Sequence, residues 1–346
     1  GIYYEGDKIN VNDNLWSYKE KKTLENEGSK FGYIPYLNNN YNKNQDYLDM
    51  LEYVGEDTNL YFTNEYEGEG GTGKTYKLLN SKGLINSLYL THSWILSNKQ
   101  KTDKVNNSVH HRLLDKNHRD HKKIKLYSNY FIDEKSMLLE QNKIDILNTF
   151  KGNIYFIGDN KQLPPVKEGK PYIVGKDIQK TNIIESKFEN NYRITDRKLY
   201  DILQVLRNKI HNKEKYDPEF INTLNFQEVK GKDILNKYDY KNDVILSPLK
   251  DNHKLDQYII KNTMKFKYRV NRNYPLNNLY NGSIVYDIKP LGLDFTLSHT
   301  HTIHETQGLT FKNNILLYNI GKIYSYKMLY TALSRGKEFN NIYLIK

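Results

Sequence analysis

The chain of 346 residues contains no cysteine. That excludes disulfides and thiolate metal sites. No apolar run approaches the roughly 20 residues needed to cross a bilayer, and hydrophobic content is only 38%. The reading is a soluble chain. It lacks a signal-peptide pattern and begins at Gly1 rather than Met, which points to an intracellular fragment or processed piece. No internal repeat and no long low-complexity linker is present. Acidic excess is missing as well: Lys plus Arg number 52 against 41 Asp plus Glu, a formal charge of +11, and there are 31 tyrosines. Cations and π-faces together suit single-stranded nucleic acid, whose phosphates need positive charge and whose bases stack on rings. Biased Asn/Lys/Tyr usage from an AT-rich genome gives the same composition.

The most specific string is "GEGGTGKT", residues 68–75. Gly68, Gly70, Gly71, Thr72 and Gly73 form a loop whose backbone N–H groups can converge on phosphate oxygens. Lys74 can reach the β/γ oxygens and Thr75 can ligate Mg²⁺. A strand-like "NLYFTNEY" precedes the loop and a helix-compatible "TYKLLNSK" follows it, as the geometry requires. A flexible Gly/Thr surface loop is the plain alternative. Downstream, "YFIDEKSM" is an apolar strand ending in Asp133 and Glu134. Carboxylates at the end of a parallel strand lie at the sheet edge where a phosphate loop sits. Asp133 then holds Mg²⁺, and Glu134 orients or deprotonates the attacking water. A third strand-like run, "FIGDNKQLPPV", brings Gln162, a neutral amide able to sense a γ-phosphate.

Strand-like stretches alternate with helix-like ones in two sets. The first is "LINSLYLT", "IKLYSNYFIDE" and "GNIYFIGD"; the second is "NDVILSP", "GSIVYDI", "NNILLY" and "NNIYLIK". This alternation predicts an α/β fold of mostly parallel sheets with helices on both faces. Residues 1–43 read as a polar, Asn-rich N-terminal extension, 44–185 as a first domain carrying the nucleotide loop, and 186–346 as a second domain. The histidines at 110, 111, 118 and 121 are interleaved with "KNHRDHKKIK" and read as a solvated basic loop or phosphate contact rather than a metal site.

"GDNKQLPPV" resembles motif III of the superfamily 1 helicases, particularly their RecD-like branch. "ENNYRI" (189–194), "HTIHETQGLTF" (301–311) and "YTALSRGKE" (330–338) are similar to motifs IV, V and VI, in the family's order. "SVHHRLL" (108–114) resembles the family's "TIHRLL" segment, with Val109 and His110 replacing Thr-Ile, and "LYNGSIV" (279–285) its Asn-Gly strand. The region "LTHSWILSNK" (90–99) lacks the proline usual in motif Ia. The resemblance covers residues 42–346.

The resemblance implies two RecA-like domains, ATP and Mg²⁺ as cofactors, and hydrolysis coupled to movement along a single strand, 5′→3′ by analogy. It implies Lys74, Glu134, Gln162, Arg193 and Arg335 as catalytic residues, with Arg335 as the arginine finger. Nucleotide contacts are implied for Gln45, Gln307 and Gly308 beside the loop residues and Asp133, and metal contacts for Thr75 and Asp133. Ser93, Trp94, His111, Arg112, Thr302 and His304 are the implied strand contacts. DNA is the favoured substrate, and a replication partner or larger parent protein fits the chain. The alternative is an RNA helicase domain of a viral replicase, since viral relatives share "GD-x-x-Q" and "ALSR" strings. Outside this class stands a P-loop nucleotide kinase or switch protein, which has no use for two arginine motifs. The gap from Gly282 to Thr302 is too short for the family's small inserted barrel. Residues 115–125 are therefore expected to form a basic hairpin or loop serving as a minimal wedge, or a plain connector.

Overall fold

In this computed structural model the described residues are 2–4, 7–9, 63–79, 86–93, 96–97, 106–165, 182–185, 191–250, 253–277, 279–287 and 293–346. The chain divides into two compact units. The first comprises Gly1–His92, Gln100–Asp159 and Lys167–Asn190; the second comprises Ser93–Lys99, Asn160–Val166 and Asn191–Lys346. Within the expected N-terminal extension, β1 (Ile2–Tyr4) and β2 (Asp7–Ile9) form an antiparallel pair.

The first unit is built on β3 (Thr63–Glu67), β4 (Ser87–Thr91), β5 (Asn106–Val109), β6 (Asn129–Ile132), β7 (Asn153–Gly158) and β8 (Asn182–Glu185). Their order is β5-β4-β6-β7-β3-β8, and all neighbours are parallel. Every residue of β4 and β6 is buried, as expected of central parallel strands covered on both faces. Among the described residues the helices α1 (Lys74–Leu79), α2 (His110–Leu114) and α3 (Glu140–Thr149) lie in its connections. Leu88, Leu90, Tyr130, Ile132, Ile154 and Phe156 pack on one face against Leu113 of α2 and Ile146 of α3. Phe131 and Tyr155, at the alternate positions, stack with ring centroids 4.9 Å apart.

The second unit contains β9 (Gln227–Val229), β10 (Val244–Ser247), β11 (Lys267–Val270), β12 (Ile284–Tyr286), β13 (Phe295–Leu297), β14 (Thr300–Thr302), β15 (Ile315–Leu317) and β16 (Ile342–Ile345). Five of them form a parallel sheet in the order β14-β10-β15-β16-β9. Helices α4 (Arg197–His211), α5 (His253–Thr263) and α6 (Tyr326–Leu333) cover it. Strand alternation decides which face each residue serves. Val244, Leu246, Ile315 and Leu317 join the core of α4 and α6, whereas Ile245 and Leu316 join Leu255 and Ile259 of α5 on the other face. Two of the helices start at side-chain caps: Asp196 accepts from Leu199 N at 3.1 Å, and Ser325 Oγ from Met328 N at 3.2 Å.

Two expectations are corrected here. "GSIVYDI" supplies β12 of a separate antiparallel sheet, β12-β11-β13, rather than a strand of the parallel one. That sheet starts at Lys267, well upstream of Gly282, and holds three strands. Of the hairpin, loop or connector expected at 115–125, the hairpin is not formed. The C-terminal part of these residues lies in a 3₁₀ turn, Arg119–Leu126, wound around the buried carboxylate of Asp120. Lys123 sits 2.9 Å from that carboxylate, His118 3.5 Å, Arg112 3.7 Å and Arg119 3.9 Å.

Candidate functional site

In the first unit β3 ends at Glu67 and α1 begins at Lys74, with the glycine loop between them. Gly71 (φ 90°) and Gly73 (φ 80°) occupy left-handed backbone that a Cβ disfavours, so the loop's turns require glycine. Gly68 N donates to Gly158 O at 3.2 Å, which fixes the loop to the end of β7. The buried Lys74 ammonium donates to the carbonyls of Gly68 (2.9 Å) and Glu69 and to Thr72 Oγ1 (3.3 Å), so it lies over the loop.

Thr75 is the next residue, and its hydroxyl donates to Asp133 Oδ2 at 2.8 Å. Tyr89 OH donates to the same oxygen at 2.7 Å, and Glu134 N to Asp133 Oδ1 at 2.8 Å. Burial, with the Asp133 charge beside it, raises the Tyr89 pKa well above the usual tyrosine value, so this phenol stays a donor. A hydroxyl and a carboxylate oxygen in contact suit Mg²⁺, which takes one or two protein oxygens and keeps the remainder of its shell for water and phosphate. Among the described residues no group of three or more His, Cys, Asp or Glu side chains forms a protein-only metal cage.

Glu134 has φ 53° and ψ 47°, a left-handed conformation uncommon outside glycine and found disproportionately at functional sites. Its neighbour Lys135 is bound by Glu65 (2.8 Å) and Glu67, and Lys143 also reaches Glu65. Burial works to raise the Glu65 pKa, but Lys135 and Lys143 outweigh it and hold the carboxyl below its usual range. A Cβ on Gly158 would lie 2.7 Å from Lys135 Cγ and 3.0 Å from its backbone nitrogen, so only glycine lets β7 approach this turn. Sequence reasoning missed the Glu65–Lys135–Lys143 cluster, because nothing local links residues so far apart.

In the second unit, the segment Asn160–Val166 packs with the later chain rather than with the strand it follows. Leu163 N donates to Thr331 Oγ1 at 3.0 Å, and Gln307 Nε2 to Leu163 O at 3.2 Å. Gln162 is buried, and its Oε1 has no hydrogen-bond partner among the described residues. Gly308 (φ 79°) turns the chain beside Gln307. Arg335 is fully buried: Nε donates to Thr331 O at 3.0 Å, Nη1 to Leu309 O at 3.0 Å and Thr306 O at 3.4 Å, and Nη2 to Ser334 Oγ at 2.9 Å. Arg335, expected as the arginine finger, holds the Thr306–Leu309 turn to α6 through these bonds. Arg193 is half-buried and donates through Nη1 to Ser334 O at 3.4 Å; its backbone is fixed by Asn191 Oδ1, 2.9 Å from Arg193 N.

Thr302 and His304 are also in this unit. Glu305 N donates to Thr302 Oγ1 at 3.2 Å, Thr302 N returns to Glu305 Oε2 at 3.2 Å, and Arg269 of β11 binds Glu305. Burial lowers the His304 pKa, against the Pro164 carbonyl and Glu305, which raise it. Of the other expected strand contacts, Ser93 groups with the second unit, His111 is exposed on α2, and Arg112 is held toward Asp120. Gln45 and Trp94 lie outside the described residues.

No family model matches the chain, and no curated protein matches it. Solved structures do. A Pif1 helicase from Bacteroides in complex with ADP-AlF3 and ssDNA has a TM-score of 0.62 at 16% identity, over 88% of this chain and 92% of that chain. Bacteroides Pif1 bound to ssDNA gives 0.62 at 16% over 88% and 91%. A structure of DNA unwinding at forked dsDNA by two coordinating Pif1 helicases gives 0.62 at 15% over 88% and 91%. At this identity the likeness establishes fold: two RecA-like α/β domains, each a mostly parallel sheet with helices.

Proposed function

We propose that this chain is an ATP-driven helicase or translocase of superfamily 1 that acts on single-stranded DNA, moves 5′→3′ and works inside the cell. The observation that carries the reading is the 2.8 Å contact between Thr75 and Asp133 beside the Gly68–Gly73 loop. It joins a phosphate-binding loop to the carboxylate that such enzymes need for their metal. When bound there, Mg²⁺ supplies charge neutralisation on the β- and γ-phosphate oxygens. Lys74 turns from its loop carbonyls to the phosphates. Glu134 accepts the proton of the attacking water, whose oxygen forms the new bond to phosphorus as the bond to the ADP oxygen breaks. The buried amide of Gln162 senses the γ-phosphate, Gln307 and Gly308 adjoin the nucleotide, and Arg193 meets the charge that develops on transfer. Ser93, Trp94, His111, Arg112, Thr302 and His304 contact the strand.

Domains are proposed at 44–185 and 186–346 after the 1–43 extension. The Pif1 structures named above hold ssDNA and ADP-AlF3, which supports the DNA and nucleotide assignments by likeness of fold. The decisive measurement is the ATPase rate alone, with single-stranded DNA, and with RNA of the same sequence. Stimulation severalfold or more by DNA is expected. Equal rates in all three, across a salt titration, turn the reading toward a P-loop kinase or switch protein, and stimulation by RNA alone turns it toward an RNA helicase.

A further inference from the structure

We propose that Arg269 is a positioning residue for the single strand: by pairing with Glu305 it aims the Thr302 hydroxyl and cancels a carboxylate that would repel a phosphate there. This rests on the nucleic-acid reading above, which takes Thr302 as a strand contact.

Thr302 ends β14 opposite Ser247 of β10, and Ile303 N fixes the exit of the chain to Ser247 O at 3.0 Å. The next residues close back on it. Glu305 N donates to Thr302 Oγ1 and Thr302 N donates to Glu305 Oε2, each at 3.2 Å. This reciprocal pair is a capping box, which a glutamate or glutamine three residues after a threonine can form. A hydroxyl that accepts through a lone pair still has one proton to donate. Thr302 is half-buried, and among the described residues that proton meets no acceptor. A phosphate oxygen is an acceptor of the right kind, because backbone contacts to nucleic acid draw on Ser and Thr hydroxyls.

The box brings a charge that works against this contact. Glu305 sets a carboxylate in the same turn, and like charges repel more strongly where water is partly excluded. The neighbouring histidines do not offset it. Burial lowers the His304 pKa and, with Lys267, Arg269 and His299 assisting, takes His301 down to about 3, so both are neutral near pH 7. Arg269 does offset it. Its guanidinium binds Glu305 Oε1, the oxygen that the box leaves open, and both side chains are only 25% exposed. The arginine stands on β11, the middle strand of the antiparallel sheet, with Ile284 and Thr296 in register on either side. Lys267, on the same face of β11, is buried and donates to Tyr238 OH at 3.4 Å, a second anchor for the strand. The guanidinium therefore reaches Glu305 from a fixed origin, and the orientation passes through the box to Thr302.

The test uses the full chain and a fluorescein-labelled oligothymidine. Arg269→Gln removes the cation, whereas Glu305→Gln keeps the capping box and removes the anion. Arg269→Gln is expected to weaken strand affinity about tenfold, and Glu305→Gln, which leaves the cation free beside the phosphate, to tighten it about threefold. The double variant should return to within about threefold of wild type, because both charges are gone. Arg269→Lys, with the charge but not the fork, should keep most of the affinity. In ATPase assays the strand concentration for half-maximal stimulation should move with these affinities while the rate at saturating strand is kept. A merely structural role would weaken all the variants in step with their melting temperatures. Equal affinity in wild type and Arg269→Gln overturns the proposal, and so does a double variant that binds no better than Arg269→Gln. If Arg269→Gln does not fold, Glu305→Gln decides, and looser binding than wild type overturns the proposal. A wild type that binds the strand with an ATPase that ignores it overturns the helicase reading alone, and the affinities still support or overturn the role of Arg269. Failure of the wild type to bind the strand overturns both.

Discussion

Arg335 Nη1 donates to the Leu309 carbonyl at 3.0 Å, inside the second unit, with the guanidinium wholly buried. That bond changes what a substitution should do. A finger that acts only on transferring phosphate would lose turnover at unchanged stability when cut to alanine. Arg335→Ala instead strands the carbonyls of Thr331, Thr306 and Leu309 and leaves a cavity. The expected loss is on the order of 3 kcal/mol, with a drop in melting temperature of roughly 6–12 °C. Lysine should restore only part of it, because one ammonium cannot replace a planar fork. Arg193→Ala, which removes a half-buried side chain with a long hydrogen bond to Ser334 O, should cost turnover with little change in melting. Thermal melts beside ATPase rates for both variants separate the two roles. Arg335→Ala melting with the wild type contradicts the clamp.

Glu134 holds a left-handed backbone beside the Asp133 carboxylate that meets Thr75. Glu134→Gln keeps that geometry and removes the proposed base. Turnover should fall by ~10²–10⁴-fold while Mg·ATP still binds. Glu134→Gly should lose turnover too, but gain about 1 kcal/mol of stability as the strain is relieved. Glutamine turnover within threefold of wild type removes Glu134 from the base role. A glycine variant that melts lower than wild type removes the strain argument.

The glycine loop was legible in the sequence because its chemistry is local: spacing alone places backbone donors, Lys74 and Thr75. The Thr75–Asp133 pairing followed from strand ends meeting at one sheet edge, and the structure forms it. Other features depend on where distant residues arrive. Arg335 could be assigned to motif VI from its string, but the carbonyls that receive it lie on a turn 26 and 29 residues upstream. Lys135 meets Glu65 across a separation of 70 residues, a pairing no local pattern encodes. "GSIVYDI" has the period of a strand, and a period names neither the partner nor its direction. The basic run at 115–125 revealed its charge but not that Asp120 gathers it into a 3₁₀ turn.

Stability should rise with pH in two windows. Burial pushes His299 down to about 4, with the Lys265 carbonyl opposing and Lys267 assisting. Unfolded chain binds that proton from pH 6.5 downward, so stability present above 6.5 is lost as pH falls toward 4. Burial also pushes Lys267 down to about 8, despite Asp256, Asp243 and Asp239, which favour its charge. Between pH 8 and the unfolded value of 10.5 the unfolded chain again holds more protons, and stability climbs. The full effect is on the order of 2–4 kcal/mol, of which the part below about pH 10 can be read before tyrosines titrate. Melting temperatures from about pH 4 to about 9.5 check both limbs, and Lys267→Met should abolish the alkaline one. A flat profile above pH 8 in the wild type contradicts the buried-lysine assignment.

The 3₁₀ turn supplies the last prediction, and its geometry decides which lysines to change. Lys123 lies 2.9 Å from the buried Asp120 carboxylate, so its removal would disturb the turn as well as the surface charge. Arg119, Lys122 and Lys125 are exposed on the same turn. Arg119 reaches Asp120 only at 3.9 Å with its side chain 87% exposed, an ion pair worth little in water. Changing these three to alanine should leave melting within about 0.5 kcal/mol of wild type while removing cations that phosphates could meet. If the turn tracks the backbone of nucleic acid, the slope of log affinity against log salt shrinks by roughly 0.7–0.9 for each phosphate no longer neutralised, equally for every sequence tested. Asp120→Asn is the companion variant. It keeps shape but removes the charge that holds Lys123, His118 and Arg112, so it should loosen the turn and weaken stability by about 1–3 kcal/mol. An unchanged salt slope in the triple variant, with Asp120→Asn destabilised as expected, makes the turn a structural connector between α2 and β6 and leaves strand binding to other residues.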